Sequence, residues 1–188
     1  MKKCIRVAIA LLSGLLISAC VTEPQMPLVN KNQLAISSVR DIPISYSQGS
    51  RFSLAPKYVE ETSLKANQTQ TVYKLYADAI IADLTSHGFN HTTEVKKSVF
   101  YVGFGLALAT DLPDQTINEK FGITPGLTSN NELKKGSFLI YITDARTGKK
   151  VWRGAVQGFV HSEDNKSQKE QRAAAIVSRV MNQFYETN

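Results

Sequence analysis

Cysteine, tryptophan and histidine are scarce in this chain: its 188 residues include two cysteines, one tryptophan and three histidines. Both cysteines, Cys4 and Cys20, stand in the first twenty positions, so nothing after Cys20 can form a disulfide or act as a thiol nucleophile. The later chain must be held by its core, although an exported compartment permits disulfides. There is no Gly-x-Ser-x-Gly elbow of the kind that exposes a serine nucleophile. His87 and His91 straddle Gly88, and His161 lies far along the chain, so the three or four converging ligands of a metal site are not expected. Gly103-Phe104-Gly105 lacks the third glycine of a phosphate loop and runs on into strand-like Leu106-Ala107-Leu108. Asp111 and Asp114 flank Pro113 as turn residues do, and such a loop does not promise the burial that an acid–base pair needs. No catalytic residue, metal or cofactor is therefore expected.

The start of the chain carries an address. Met1-Lys2-Lys3-Cys4-Ile5-Arg6 is basic, and Val7–Ile17 is an apolar run broken only by Ser13 and Gly14. That suits a signal peptide and falls short of the roughly 20 residues of a spanning helix. Ile17-Ser18-Ala19-Cys20 resembles a bacterial lipobox, in which the signal is cut and the cysteine takes a diacylglycerol. The reading is a signal over 1–19 and a lipidated Cys20. A polar tether with Pro24 and Pro27 continues to residue 33, and a single domain fills 34–188. Removing Lys2, Lys3 and Arg6 takes the basic residues from 22 to 19 against 16 acidic ones, so the formal charge falls from +6 to +3. With no basic stripe interleaved with aromatics, a nucleic-acid partner is not expected.

The domain is organised around Gly136–Phe159. Phe138, Ile140 and Ile142 alternate with Leu139, Tyr141 and Thr143, the period of a strand. Asp144-Ala145-Arg146-Thr147-Gly148 makes the turn, and a return strand runs through Val151, Trp152, Val156 and Phe159. Before it, Leu34–Ile44 and Arg51–Pro56 read as strands, and Lys57–Gln70 as a loop or a helix lead-in. From Thr71, residues Tyr73, Tyr76, Ala77, Ile80, Ile81 and Leu84 form one helical stripe that ends near Gly88. Val95–Leu112 alternates as a strand, and Thr116–Phe121 is a short helix. Ser167-x-x-Glu170 reads as a capping box ahead of a second stripe, Ala173, Ile176, Val177, Val180, Met181 and Phe184. The expected fold is α+β, a mostly antiparallel sheet with two helices packed on one face.

These pieces together resemble a family of proteobacterial lipoproteins, the domain of unknown function 4136. The resemblance rests on the lipobox, on Gly88-Phe89 closing a helix, and on Gly105-Leu106-Ala107-Leu108. It continues in the connector Ile117–Gly126 and in Asp144–Gly148 followed by Val151-Trp152-Arg153-Gly154. It implies an outer-membrane lipoprotein with an α+β domain and no assigned reaction. Val21 after the cysteine fits sorting to the outer membrane, with the domain facing the periplasm.

One constellation is a candidate face for a partner or ligand: Tyr101, Gly103 and Gly105 share one side of a strand, with Tyr141 and Trp152 on the hairpin near them. If helices cover only the opposite side, this face is open, aromatic and rimmed by Lys149, Lys150 and Arg153; otherwise its residues complete the core or pack under the Asp111–Leu133 connector. The expected function is a lipid-anchored, non-enzymatic module that binds an envelope component such as a protein. The alternative is a small-ligand or lipid-binding lipoprotein with a pocket between the sheet and the connector.

Overall fold

The computed structural model describes residues 30–55, 66–108 and 113–186. The proposed signal, Cys20, most of the tether and Asp111 lie outside them. In chain order the elements are β1 (Leu34–Arg40), β2 (Arg51–Leu54), α1 (Ala66–Ser86), β3 (Asn90–His91), a 3-10 turn (Val95–Lys97) and β4 (Phe100–Leu108). After them come α2 (Asp114–Phe121), β5 (Lys135–Asp144), β6 (Lys150–Phe159) and α3 (Lys166–Tyr185). The fold is α+β, with a six-stranded mixed sheet in the order β1-β6-β5-β4-β2-β3.

The sheet is antiparallel from β1 through β6 and β5 to β4, but β2 lies parallel to both β4 and β3. The departure has a simple origin. Helix α1 carries the chain between β2 and β4, and a helical crossover returns a strand parallel where a tight turn would return it antiparallel. At the β5–β6 turn, the Asp144 carboxylate accepts from the Thr147 N–H and hydroxyl, both at 2.8 Å. Gly148 closes the turn at φ +67°, donating to the Asp144 carbonyl at 2.9 Å.

A bulge decides the faces. Thr143 pairs with Lys150 but Ile142 pairs with Trp152, so Val151 is an extra residue on β6. Trp152 shares the face of Ile142 as a result, and Arg153 shares that of Tyr141. On the first face Phe100, Val102, Phe104, Phe138, Ile140, Ile142, Trp152 and Val156 join the α1 and α3 stripes in one buried cluster. The contacts are direct: Tyr73 meets Phe104 at 5.4 Å between ring centroids, Tyr76 meets Phe138 at 4.9 Å, and Trp152 meets Phe184 edge-on at 5.5 Å. Helix α3 is capped two residues earlier than Ser167 and Glu170 suggest. The Asn165 side chain accepts from the Gln168 N–H at 3.0 Å, and Gln168 Oε1 accepts from the Asn165 N–H at 2.8 Å.

The second face has its own cover. Ile117 of α2 and Ile123 of the connector pack on Ala107, Leu139 and Ala155. A polar clip holds this layer down. Buried Lys135 donates to both Asp114 oxygens at 2.9 and 2.8 Å. Fully buried Gln157 donates to Asp114 at 2.6 Å and accepts the Leu127 N–H at 3.0 Å. Burial pushes the Asp114 carboxyl up, but the bonds from Lys135 and Gln157 and the Lys135 charge outweigh it, and its pKa lies below the ordinary Asp value.

Trp152→Ala is expected to cost about 3–5 kcal/mol in denaturant unfolding, because the ring fills a core position and meets Phe184; a loss below about 1 kcal/mol would contradict its place in the core. Asp114→Asn is expected to destabilise at neutral pH. A depressed carboxyl stabilises above its unfolded pKa, about 3.9, and that contribution fades as pH falls through the lower folded value. Unfolding curves of both proteins should therefore converge in acid, and a penalty independent of pH would refute the clip.

Candidate functional site

The residues singled out from the sequence do not form one face. Tyr101, Gly103, Gly105 and Tyr141 share the second face through the β4–β5 register, where Gly103 is opposite Tyr141. Trp152 stands on the first face, within the core, and leaves the group. The Tyr141 ring lies across Gly103, where any Cβ would collide with it, so only glycine lets the ring lie on the sheet here. Burial raises the Tyr141 pKa, and Lys150 Nζ sits 5.1 Å from its ring centroid. Arg153 is committed as well: it forks onto Asp41 at 2.8 and 2.6 Å and donates to the Phe121 carbonyl at the end of α2. The expectation that this side is either open or packed under the connector resolves into both. Gly105 is buried at the covered end, and Tyr101 and Tyr141 are half-buried at the other. The space between sheet and connector is occupied by Ile117, Ile123 and Leu127, all buried, which argues against a pocket there.

A concavity lies on the first face, between α1 and α3. The C-terminal ends of the two helices meet: Tyr185 donates to Asp83 at 2.7 Å, and its ring stacks on His87 at 3.7 Å. Burial first, and then the Asp83 hydrogen bond and charge, push the Tyr185 hydroxyl pKa far up, which keeps it a donor. Their N-terminal halves form opposite walls of a groove of about 980 Å³. Leu106, Phe138 and Val156 make its floor, and beyond them Gly136 pairs with Gly158 across β5 and β6, a pair that adds no side chain of its own beside Leu108. Val72, Leu75 and Tyr76 line the α1 wall; Lys169, Arg172 and Ile176 line the α3 wall. Burial pushes the Tyr76 hydroxyl to about 12, partly offset by the Arg172 charge.

Charge gathers at the rim. Lys74 pairs with Asp78 at 2.6 Å, Lys166 with Glu170 at 3.8 Å, and Arg172 with Asp164 at 3.3 Å. Among the described residues, Lys169 has no ion-pair partner. Arg172 Nη2 also lies 2.7 Å from His161 Nδ1 and 2.6 Å from its Nε2 and donates to Asn32 Oδ1 at 3.2 Å, and His161 Nε2 stands 2.9 Å from the Lys31 carbonyl. The arrangement can hold an apolar body against the floor and a negative group at the rim. Among the described residues no three His, Cys, Asp or Glu side chains gather as a metal site would require. The groove was missed in the sequence, yet it left a signal there: Val72 and Leu75 are apolar at i and i+3, beside the stripe that forms the core.

No curated protein matches the chain. Among solved structures it is similar to a DUF4136-family protein from Bacteroides thetaiotaomicron, at 13% identity over 85% of this chain and 99% of that one, with a TM-score of 0.49. It is also similar to a PDZ domain protein from Parabacteroides distasonis, at 12% identity over 82% of this chain and 36% of that one, with a TM-score of 0.51. A lipoprotein from Neisseria meningitidis matches at 15% identity over 73% of this chain and 99% of that one, with a TM-score of 0.40. At such identities the likeness speaks for fold alone. The family model for the domain of unknown function DUF4136 matches residues 40–184, from the last residue of β1 to the end of α3 but one, and the chain belongs to that family.

Proposed function

We propose that this chain is an outer-membrane lipoprotein anchored through Cys20, whose periplasmic domain acts by binding rather than by catalysis. Its binding element is the groove between α1 and α3. The observation that carries this reading is the groove itself: about 980 Å³, with an apolar floor and a cationic rim. That volume lies at the upper end of the roughly 300–1,000 Å³ in which drug-sized ligands sit. Shifted side chains away from the groove support it from another direction. Tyr185 is held by Asp83 and Asp114 by Lys135, each joining one element to another, and Asp144 is held by Thr147 within its own turn, rather than facing a cleft as reacting groups would. No described helix is long and apolar enough to cross a membrane. The half-buried Tyr101–Tyr141 surface is the weaker candidate for an envelope partner, since Lys150 already covers Tyr141.

Cys20→Ser is expected to move the protein from the membrane fraction to the soluble one in cell fractionation; retention in the outer membrane would refute the anchor. A lipophilic dye such as N-phenyl-1-naphthylamine is expected to bind saturably. Leu75→Glu, on the groove wall, should weaken that binding at least about tenfold, or 1.4 kcal/mol. Tyr101→Ala should leave it unchanged, and the opposite pattern would move the site to the second face.

A further inference from the structure

We infer that the occupant of the groove is an acyl chain of a membrane phospholipid, with the lipid phosphate met by Lys169 at the mouth. The inference rests on the proposed anchor and groove, and it adds the ligand class and the direction of entry.

The geometry concerns where the chain enters the domain. The first described residues run along the groove mouth. Lys31 is bonded through its carbonyl to His161, Asn32 takes a hydrogen bond from Arg172, and Leu34 sits over Gly158, 2.6 Å from where a Cβ there would stand. His161, Arg172 and Gly158 all line the groove. The point of attachment and the open end are therefore one place. Asn30 stands ten positions after Cys20, a span of at most about 35 Å at 3.3–3.6 Å per residue. With Cys20 lipidated, the mouth cannot move farther than that from the bilayer surface, and the most abundant apolar molecules within reach are its lipids.

Charge agrees with this source. The three carboxylates on the groove lining, Asp78, Asp164 and Glu170, each have a cation of their own, which leaves Lys169 for an incoming anion. Arg172 stands one turn further along the same wall, where Asp164, His161 and Asn32 hold it in place beside Lys169. Behind these cations the lining turns apolar, through Leu75, Phe138 and Val156. An anionic head and an apolar tail match that order from mouth to floor.

The test uses the lipidated full-length protein, purified from membranes and reconstituted into vesicles containing phosphatidylglycerol with a diazirine in its acyl chain. Illumination and peptide mapping should place the label on the segments holding Leu75 and Phe138. Leu75→Glu should reduce it at least about tenfold, and Lys169→Glu, an exposed change that leaves the core intact, should reduce it several-fold. Inorganic phosphate should not displace the lipid; full displacement would mean a phosphate site without an acyl site and would overturn the inference. Label confined to residues outside the groove, or unaffected by both variants, would overturn it too. If the naphthylamine dye still binds in a Leu75-dependent way while the lipid does not label, the groove reading stands and only the ligand class falls. If neither enters, both fall.

Discussion

Val151 is one residue more than the pairing of β5 with β6 can use, and the way the sheet absorbs it sets both faces of the molecule. Lys150 stands opposite Thr143, yet Trp152 stands opposite Ile142. From that step on, Trp152 and Val156 face the helices, while Arg153, Ala155 and Gln157 face the connector. Because side chains alternate, a slip of one residue would exchange these sets, putting the Trp152 ring under the connector and the Gln157 amide into the apolar core. Trp152 anchors α3 through Phe184, Arg153 fixes the end of α2, and Gln157 receives Leu127. Three layers are thus keyed to one strand.

With the first face filled near the turn end of the sheet, room between the helices remains where their cover thins. The two long helices meet at their C-terminal ends through Tyr185, Asp83 and His87, and their N-terminal halves stand as separate walls. Beneath that gap Gly136 pairs with Gly158, and the pair adds no side chain to fill it. Apolar side chains that would ordinarily close such a space, Leu75 and Ile176, line it instead.

Much of this architecture was legible in the sequence. The two helical stripes, the hairpin with its Asp144–Gly148 turn and the α+β class all follow from periodicity and turn chemistry. The parallel seat of β2 was implicit in the strand–helix–strand order, but it needed the crossover rule rather than strand pattern to see it. The cap of α3 was misplaced because Asn165-x-x-Gln168 and Ser167-x-x-Glu170 offer the same chemistry two residues apart, and only the helix start selects between them. The candidate face failed at Trp152 for the same reason that the fold works: alternation counts residues, and a bulge breaks the count without a mark in the sequence. The clip of Asp114, Lys135 and Gln157 joins residues 21 and 43 positions apart, beyond any local pattern.

The reading of this molecule as a membrane-facing binder turns on orientation: the groove end, where Lys31 and Asn32 are fixed, should lie nearest the bilayer, with the Asp144–Gly148 turn farther away. The absence of thiols after Cys20 makes this directly measurable. Spin labels placed singly through Lys169→Cys at the groove rim and Arg146→Cys at the turn, on lipidated protein in vesicles, would report depth by electron paramagnetic resonance. The account predicts that the label at position 169 lies closer to the lipid surface than the one at 146. Equal depths, or the reverse order, would contradict it.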